Sequence, residues 1–301
     1  MPNLKRIVKL LVPPIFIWGY DKLVNKNVQS AEKDFAENVQ PAEKDFAENA
    51  RRAGKVFIGK YENFDDLRAQ LKSETNYYWP GAIEQEFNAQ ERRIIEWSSL
   101  RPPSGNFRTN FLSAALTLFS EEKIRVLDIG GGLNNVFEYL KFSLKKKCIH
   151  VTVFDQLPAV QNGKKLYGHM EDIEFVDSLP EGRDCFDVIY FGSSFQYFPD
   201  YRELFAKIAN LNPRLIVIAD SSFGVSSTFA CAQVNMPGTI IPYMMINKTE
   251  FESVACNLGY ELIHQSINDN DYFGSYEYPQ NLSRSWNFIF EKSNNFKDAE
   301  Q

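Results

Sequence analysis

The segment best suited to chemistry is residues 125–135, which read RVLDIGGGLNN. Three consecutive glycines after an apolar run let a ligand or another backbone approach closely, because glycine has no side chain and accepts unusual dihedral angles. Asp128 precedes these glycines, and Asp155 closes the next apolar run, IHVTVFD. An acid placed there can accept both hydroxyl groups of a ribose. The pattern favours a nucleoside cofactor, with glycines that only permit tight helix–sheet contact as the alternative.

The glycines fit a dinucleotide fingerprint only in part. Gly130 and Gly132 match the first two glycines of GxGxxG or GxGxG, whereas Asn135 or Asn134 stands where the third is expected. Asparagine tolerates left-handed backbone better than most residues. The choice between cofactors therefore depends on the elements around the turn.

The elements around this turn alternate between strands and helices. Apolar, β-branched runs end in acids or glycines, and segments with helical spacing separate them, as expected for a doubly wound parallel sheet. Such sheets bind ligands beyond the carboxyl ends of their strands. The predicted strands are 124–129, 149–155, one within 173–182, one within 185–198, and 213–220, and the predicted helices include 136–144, 160–168 and 201–211.

The C-terminal part predicts how the sheet ends. After a helix at Lys248–Gly259, strands are expected at Tyr260–Ser266 and Ser285–Lys292. Residues 267–284 are rich in Asn, Asp, Gly and Pro and leave no room for a crossover helix, so the two strands must pair as a long hairpin with one strand antiparallel. The predicted fold class is α/β: a Rossmann-like, doubly wound, seven-stranded, mostly parallel sheet with an antiparallel last strand, plus an N-terminal helical extension.

This pattern resembles the class I S-adenosylmethionine-dependent methyltransferases. VLDIGGG is similar to their first motif, Asp155 to their ribose-binding acid, FVDSLP to their third motif, and FDVIYFGSSFQYFPDY to their fourth. The resemblance implies S-adenosyl-L-methionine as the cofactor. It also implies a set of cofactor-binding residues: Asp128, Gly130, Gly131, Gly132, Asp155, Gln156, Asp177, Ser178, Gly192, Ser193 and Ser194.

The sequence departs from that pattern where a catalytic base would stand. Gln196 and Tyr197 occupy positions at which many small-molecule methyltransferases carry a His pair. Methylation of an alcohol needs a group that takes its proton, usually a His or a carboxylate within hydrogen-bond reach. We expect two candidates at the carboxyl edge: Asp220, at the end of the fifth strand, and His169, in the loop before the third. A structural or merely exposed role is the alternative for each.

A narrower resemblance covers most of the chain except a duplicated repeat. PPI near the N-terminus, FIGKYENFDDLRAQ, LDIGGG, FQYFPDY and GYELI together resemble a methyltransferase family whose genes lie in bacterial surface-polysaccharide clusters, for O-antigen or capsule. This resemblance implies a sugar, sugar nucleotide or lipid-linked glycan as the methyl acceptor.

The composition narrows the partners. With 39 acids and 33 bases, the formal charge of −6 argues against a nucleic-acid partner. The four cysteines and three histidines form no CxxC or HxxxH pattern, which predicts neither a metal site nor a disulfide framework. Free thiols suit a reducing cytoplasm. We therefore expect a cytoplasmic protein with a small-molecule or glycan substrate.

The chain is expected to comprise five segments. Residues 1–26 are apolar and carry a charge of +4 (five bases minus one acid), which is compatible with packing on the protein body or with peripheral contact at the inner face of a membrane. The insert 221–247, rich in Met and Tyr, suits an acceptor lid, with core packing as the alternative. The predicted segments are the basic N-terminal segment 1–26, the duplicated repeat or linker 27–54, the helical extension 55–122, the methyltransferase-like α/β domain 123–293 and a disordered tail 294–301.

Two other functions stay open at this point. A Rossmann NAD(P) oxidoreductase or epimerase would need a Tyr-x-x-x-Lys pair after the fourth strand, and the sequence has none there. A catalytically silent methyltransferase fold, acting as a membrane-associated scaffold in polysaccharide assembly, is compatible with the altered glycine turn and the missing His pair.

Overall fold

The computed structural model describes residues 56–71, 87–88, 90–91, 106–133, 136–183, 185–225, 227–234, 240–268 and 283–293. The predictions for the N-terminal segment 1–26, the repeat 27–54 and the tail 294–301 lie outside the described residues, as do Asn134, Asn135 and Met236. The segment boundaries drawn from the sequence therefore stay predictions.

The described residues form strands and helices in the alternating order that the sequence predicts. The strands are β1 Phe57–Tyr61, β2 Lys123–Ile129, β3 Cys148–Phe154, β4 Ile173–Val176, β5 Val188–Gly192, β6 Leu215–Gly224, β7 Phe229–Gln233, β8 Ile241–Asn247, β9 Tyr260–Asn268 and β10 Ser283–Lys292. The helices are α1 Phe64–Leu71, α2 Phe107–Leu116, α3 Phe137–Ser143, α4 Leu157–Tyr167, α5 Tyr201–Asn210 and α6 Lys248–Asn257, with a 3₁₀ turn at Phe195–Tyr197.

The chain divides into two compact units, each assembled from separate segments. The larger unit comprises Gln90–Ser221, Lys248–Asn268 and Ser285–Gln301. The smaller unit comprises Met1–Ala89, Ser222–Asn247 and Asp269–Arg284.

The larger unit holds a seven-stranded sheet in the order β4-β3-β2-β5-β6-β10-β9. The first five strands of this order are parallel neighbours. β10 pairs antiparallel with β9. It also runs opposite to β6, because Lys292 near its end donates to Arg214 at the start of β6, whereas Asn287 nearer its start accepts from the Asp220 amide farther along β6. The predicted fold class is confirmed, including the antiparallel last strand.

The parallel strands form because their side chains are apolar on both faces, as buried parallel sheets require. In β6, Leu215 through Ala219 have no exposed surface. Aromatic rings fill much of the space between the sheet and its helices: Phe251 of α6 lies 5.2 Å from Phe195 and 5.3 Å from Phe205, measured between ring centroids. The aromatic-rich composition is therefore expressed as core, with edge-to-face and tilted pairs.

The smaller unit is built on a second group of strands. β7 pairs antiparallel with both β1 and β8, and β8 pairs parallel with the last residues of β6. Tyr243, Met244 and Met245 lie in β8 and are all buried. The hypothesis of a flexible acceptor lid in this insert is wrong for the part that the structure describes. An uninterrupted apolar run suits a strand buried on both faces, and here the core-packing alternative applies.

Within the part of the chain that the structure describes, no helix is both long enough and apolar enough to cross a membrane.

Candidate active site

The glycine turn follows β2 at the carboxyl edge of the sheet in the larger unit. Gly130 and Gly132 have φ angles of 75° and 55°, a region in which residues with a side chain are strained. A Cβ at Gly130 would lie 2.6 Å from the Cβ of Ser194, and one at Gly131 only 2.3 Å from Asp128 Oδ2. Close packing against Ser194 and Asp128 therefore excludes a side chain at Gly130 and Gly131, and these contacts are not the tight helix–sheet contact considered as the alternative. What the turn offers a ligand is its backbone and the acids beside it.

Asp155 joins the end of β3 to this turn. Its Oδ2 accepts a 2.9 Å hydrogen bond from the amide of Gly132, and its Oδ1 accepts one of 2.7 Å from the amide of Gln156. The carboxylate is half-buried. A carboxylate oxygen accepts more than one hydrogen bond, so these backbone contacts are compatible with hydroxyl donors at the same group. The end of β3 and the glycine turn are therefore in direct contact.

Asp128 is a buried acid with an unused oxygen. Its Oδ2 accepts a 3.2 Å hydrogen bond from the amide of Val136, whereas Oδ1 has no hydrogen-bond partner among the described residues. Burial raises the pKa of Asp128 to about 7; the hydrogen bond from Val136 opposes the rise, and the charge of Asp155 adds to it. An unpartnered buried carboxylate oxygen is costly, so the site favours a ligand that brings a donor or a positive charge.

The residues after β5 pack against the glycine turn. The hydroxyl of Ser194 donates to the carbonyl oxygen of Ile129, the residue before Gly130. Ser193 has a left-handed backbone, with a φ angle of 67°, and its amide donates to the carbonyl oxygen of Ala219 at 2.8 Å. A non-glycine residue held in this region indicates a position that its surroundings over-determine, as is common at functional sites. Gly192 to Ser194 thus form a second wall beside Gly130.

Gln196 lies in the 3₁₀ turn that follows. It is buried, and its Nε2 donates to the carbonyl oxygen of Ser193 at 2.8 Å. Its Oε1 has no hydrogen-bond partner among the described residues. This amide cannot act as a general base, so the position lacks proton-accepting chemistry.

Asp177 and Ser178 follow β4, and both are exposed. Phe154 and Val176 are register partners in parallel strands, so the residues that follow them emerge at one edge of the sheet. The amide of Asp155 donates to the carbonyl oxygen of Val176 at 3.1 Å. The structure therefore brings Asp155, Gln156, Asp177 and Ser178 to the same edge.

Asp220 lies just beyond the end of β5 in register, at the carboxyl edge as predicted, but not at the end of its own strand, because β6 continues to Gly224. Its carboxylate already has hydrogen-bond partners. Oδ2 accepts from Nε of Arg108 at 2.6 Å and also from Nη2, and Oδ1 accepts from the hydroxyl of Ser285. The side chains of Arg108 and Asp220 are only 8% and 4% exposed. With both oxygens engaged by donors, this geometry fits an anchor better than a proton acceptor.

His169 is not at the carboxyl edge, and that prediction of its position is wrong. It lies in the connection between the end of α4 and the start of β4. Because β4 is parallel to β3, its start belongs to the opposite, amino edge of the sheet. His169 is exposed there. No group of three or more His, Cys, Asp or Glu side chains in the described ranges could hold a metal ion.

Sequence reasoning missed Arg108. It stands in the first turn of α2, where Asn106 caps the helix by accepting from the amides of Arg108 and Thr109 at 3.0 Å each. Arg108 is 112 positions away from Asp220. No local pattern joins two residues at that distance, so only the fold reveals the pair.

A sheet of this order, with a cofactor-type turn after its first parallel strand and an acid after the next, defines an α/β protein of the methyltransferase type. A family model described as "Methyltransferase domain" matches residues 82–265, more than half of the chain. The chain therefore belongs to the methyltransferase-domain family. This membership supports S-adenosyl-L-methionine as the cofactor. No curated protein matches the chain.

Solved structures of methyltransferases match the chain at low identity. A 1,6-didemethyltoxoflavin-N1-methyltransferase from Burkholderia thailandensis, crystallised with S-adenosylhomocysteine, is 16% identical over 71% of this chain and 89% of its own, with a TM-score of 0.45. A SAM-dependent methyltransferase from Methanosarcina mazei is 14% identical over 60% and 97%, with a TM-score of 0.43. The CcbJ methyltransferase from Streptomyces caelestis is 11% identical over 64% and 93%, with a TM-score of 0.42. At such low scores the likeness carries no argument, and the assignment depends on the family match.

The residues at the carboxyl edge fit this cofactor. The unpartnered oxygen of Asp128 suits the donor groups of the amino-acid part, and the half-buried carboxylate of Asp155 suits the ribose hydroxyls. The negative charges of Asp128 and Asp155 also favour a positively charged sulfonium nearby. The hydrogen-bond acceptors and the negative charge at this edge are therefore compatible with S-adenosyl-L-methionine.

Proposed function

We propose that the protein transfers a methyl group from S-adenosyl-L-methionine to a sugar, a sugar nucleotide or a lipid-linked glycan in bacterial surface-polysaccharide biosynthesis. The observation that carries the proposal is the convergence of Asp128, with its unpartnered oxygen, and Asp155 on the glycine turn. In this proposal Asp155 and Gln156 hold the ribose, Asp177 and Ser178 the adenine, and Asp128 with Gly130 to Gly132 the methionine part. Gly192, Ser193 and Ser194 lie beside the transferring methyl group.

When bound, the cofactor supplies an electrophilic methyl carbon on a sulfonium. The residues of this chain would hold that sulfonium beside the acceptor oxygen. The proton of an acceptor hydroxyl would leave to solvent, because Asp220 is engaged by Arg108 and Ser285 and His169 lies at the amino edge. The protein's task is to align the acceptor and to exclude water, which are contributions of proximity and orientation. The tightly packed wall formed by the turns at Gly130 and Ser193 suits that task, because both backbones are fixed by hydrogen bonds.

The charge of the site supports product release after transfer. The sulfonium is lost in the reaction, so the attraction between the cofactor and the acids at positions 128 and 155 weakens once the methyl group has left. The same acids would then bind the neutral thioether less strongly than the sulfonium.

The polysaccharide setting is supported by the resemblance of the N-terminal PPI, FIGKYENFDDLRAQ and FQYFPDY segments to a family found in such gene clusters. The basic, apolar residues 1–26 support a peripheral contact with the inner face of the membrane, where lipid-linked glycans are assembled. We extend the proposal to that location.

Isothermal titration with S-adenosylhomocysteine tests cofactor binding, and transfer of tritiated methyl groups to a panel of sugar nucleotides and lipid-linked glycans tests the acceptor. The proposal would be supported if the wild type binds S-adenosylhomocysteine, Asp155→Ala abolishes that binding, and a glycan acquires the tritium label. Tight binding of NAD would favour the oxidoreductase alternative. The absence of binding to any nucleoside would favour the alternative of a catalytically silent scaffold. Labelling confined to non-sugar acceptors would contradict the acceptor class alone.

A further inference from the structure

The buried ion pair between Arg108 and Asp220 lies where the local backbone and helix position do not favour its two residues. Arg108 lies in the first turn of α2, where the helix dipole disfavours a cation. Asp220 has a left-handed φ angle of 57°, a strained backbone for a residue with a side chain. Withdrawing two charges from water costs free energy that an ion pair repays only with good geometry and additional hydrogen bonds. The helix dipole, the left-handed backbone and the loss of solvation therefore all oppose the pair at this position.

Additional hydrogen bonds fix Asp220 from the last two strands. Asn287 of β10 accepts from the Asp220 amide at 2.9 Å, and Ser285 donates to its carboxylate. The side-chain amide of Asn268 in β9 lies 3.4 Å from Oδ1 of Asp220. Elements from three distant parts of the sequence thus hold one residue in a single conformation.

The position of Asp220 is transmitted to the glycine turn by a short series of contacts. The residue before it, Ala219, accepts from the amide of Ser193 through its carbonyl oxygen at 2.8 Å. Ser194 donates to Ile129 and fills the space beside the Cα of Gly130. Each contact is a direct hydrogen bond or van der Waals contact within the larger unit.

The Tyr190 phenol shows that the two groups of charges are close together. Burial raises the pKa of Tyr190 well above its usual range; the charges of Asp128 and Asp220 add to the rise, and that of Arg108 opposes it. Tyr190 is also the register partner of Asp128 across β2 and β5. Asp128 and the Arg108–Asp220 pair therefore both act electrostatically on the Tyr190 side chain.

We infer that Arg108 and Asp220 are positioning residues: their ion pair holds the strained Ser193–Ser194 turn against the glycine turn, so that α2 sets the geometry of the cofactor site. This inference rests on the proposed function for its ligand and on the contacts above for its mechanism. It gives Asp220 a role other than that of the general base considered from the sequence.

The test uses a double variant that carries both Arg108→Met and Asp220→Asn. The control variant is Arg125→Met. Removing one partner alone would leave a buried charge unpaired and destabilise the fold, whereas the double variant removes both charges. Asparagine tolerates the left-handed backbone at position 220 and keeps an oxygen for the hydroxyl of Ser285. Arg125 forms the corresponding pair with Asp187, away from the glycine turn. We expect the double variant to bind S-adenosylhomocysteine about tenfold more weakly, within the range for coupling through packed networks, and to melt within a few degrees of the wild type.

Hydrogen-exchange mass spectrometry distinguishes a local positioning role from a general loss of stability. In the double variant, exchange should accelerate in a peptide spanning 190–197, which contains the Ser193 amide, and stay unchanged in one spanning 148–154. Arg108→Lys, which keeps the charge but not the planar fork, should recover part of the affinity. Arg125→Met should leave affinity and exchange at 190–197 unchanged.

Unchanged affinity of the double variant beside a wild type that binds would overturn the inference, as would faster exchange throughout the sheet. If the wild type itself does not bind S-adenosylhomocysteine, the proposed function fails. The exchange measurement at 190–197 then decides the positioning role independently: local acceleration supports it and no change refutes it.

Discussion

Two arginine–aspartate pairs lie at opposite edges of the sheet in the larger unit, and their surroundings differ. Arg125 at the start of β2 binds Asp187 with two parallel contacts, Nε to Oδ2 at 3.1 Å and Nη2 to Oδ1 at 2.9 Å, and the side chains are 46% and 28% exposed. Arg108 and Asp220 at the carboxyl edge are almost completely buried. An exposed ion pair costs little desolvation free energy and contributes little stability. Burying an ion pair costs much more desolvation free energy, which the attraction between the charges often does not offset.

The same contrast runs through the rest of the two edges. The left-handed serine at position 193, the unpartnered oxygen of Asp128 and the close-packed glycines all lie at the carboxyl edge. The amino edge carries the exposed His169 and the half-exposed Arg125–Asp187 pair. Left-handed backbone also occurs at the amino edge, at Asn212 with a φ angle of 62°, but asparagine tolerates that conformation better than most residues. The buried carboxylate oxygen without a partner is therefore the feature that best distinguishes the carboxyl edge as a ligand site.

The largest effect is expected from Asp155→Ala. The change removes the carboxylate that accepts from Gly132 and Gln156 and, in the proposed site, two ribose hydrogen bonds to a charged group. Affinity for S-adenosylhomocysteine should fall by about 100-fold or more, since each such bond contributes roughly 1.5–3 kcal/mol. Titration calorimetry measures the change. Asp187→Ala at the amino edge is the control, and comparable losses from both variants would contradict the contrast between the edges.

The next effect is expected from Gly131→Ala. A Cβ there would lie 2.3 Å from the Asp128 carboxylate, so either the acid or the turn must move. The free energy of unfolding should fall by roughly 1–3 kcal/mol, the usual cost of overpacking, and affinity for S-adenosylhomocysteine should fall with it. Chemical denaturation together with calorimetry checks both. Wild-type stability in this variant would show that the turn is looser than the structure has it.

A third effect concerns pH. The folded-state pKa of Asp128 is about 7, raised from 3.8, so between these values the native state binds more protons than the unfolded state. Stability should therefore decrease as the pH rises from about 4 to about 7 and level off above. Asp128→Asn should flatten this dependence, as measured by denaturation at several pH values. An equally steep decline in the variant would assign the effect to another group.

The smallest effect is expected from Arg125→Met. The exposed pair with Asp187 should contribute at most about 1 kcal/mol to the free energy of unfolding, and its loss should not change affinity for S-adenosylhomocysteine. High salt should weaken the pair in the wild type and leave the variant unaffected. A large loss of affinity would show that the amino edge is coupled to the site after all.

Most of the fold could be predicted from the sequence because its signals are local. Apolar runs such as Ile149–Asp155 indicate strands, and the turn-rich residues 267–284 exclude a crossover helix, which dictates the antiparallel end of the sheet. The glycines and Asp155 could be predicted as neighbours because carboxyl ends of adjacent parallel strands meet at one edge. The structure brings them into direct hydrogen-bond contact.

What the sequence could not predict depends on contacts between distant segments. Arg108 and Asp220 are separated by more than a third of the chain, and neither residue has a motif around it. The apolar insert with Tyr243, Met244 and Met245 could not be told from a mobile lid, because hydrophobicity reports burial and not the partner. By contrast, the position of His169 could have been predicted correctly, because a loop that leads from a helix into a parallel strand lies at the amino ends of the strands.

The antiparallel β10 has a consequence for biosynthesis. Ser285 and Asn287, which hold the side chain and the amide of Asp220, belong to the last strand of the sheet. During translation the parallel strands emerge from the ribosome well before these two residues, so the early chain carries an Asp220 without half of its partners. The site can assemble only after β10 has been made, and a chain that ends before Ser285 would carry the parallel strands without the hydrogen bonds that fix Asp220.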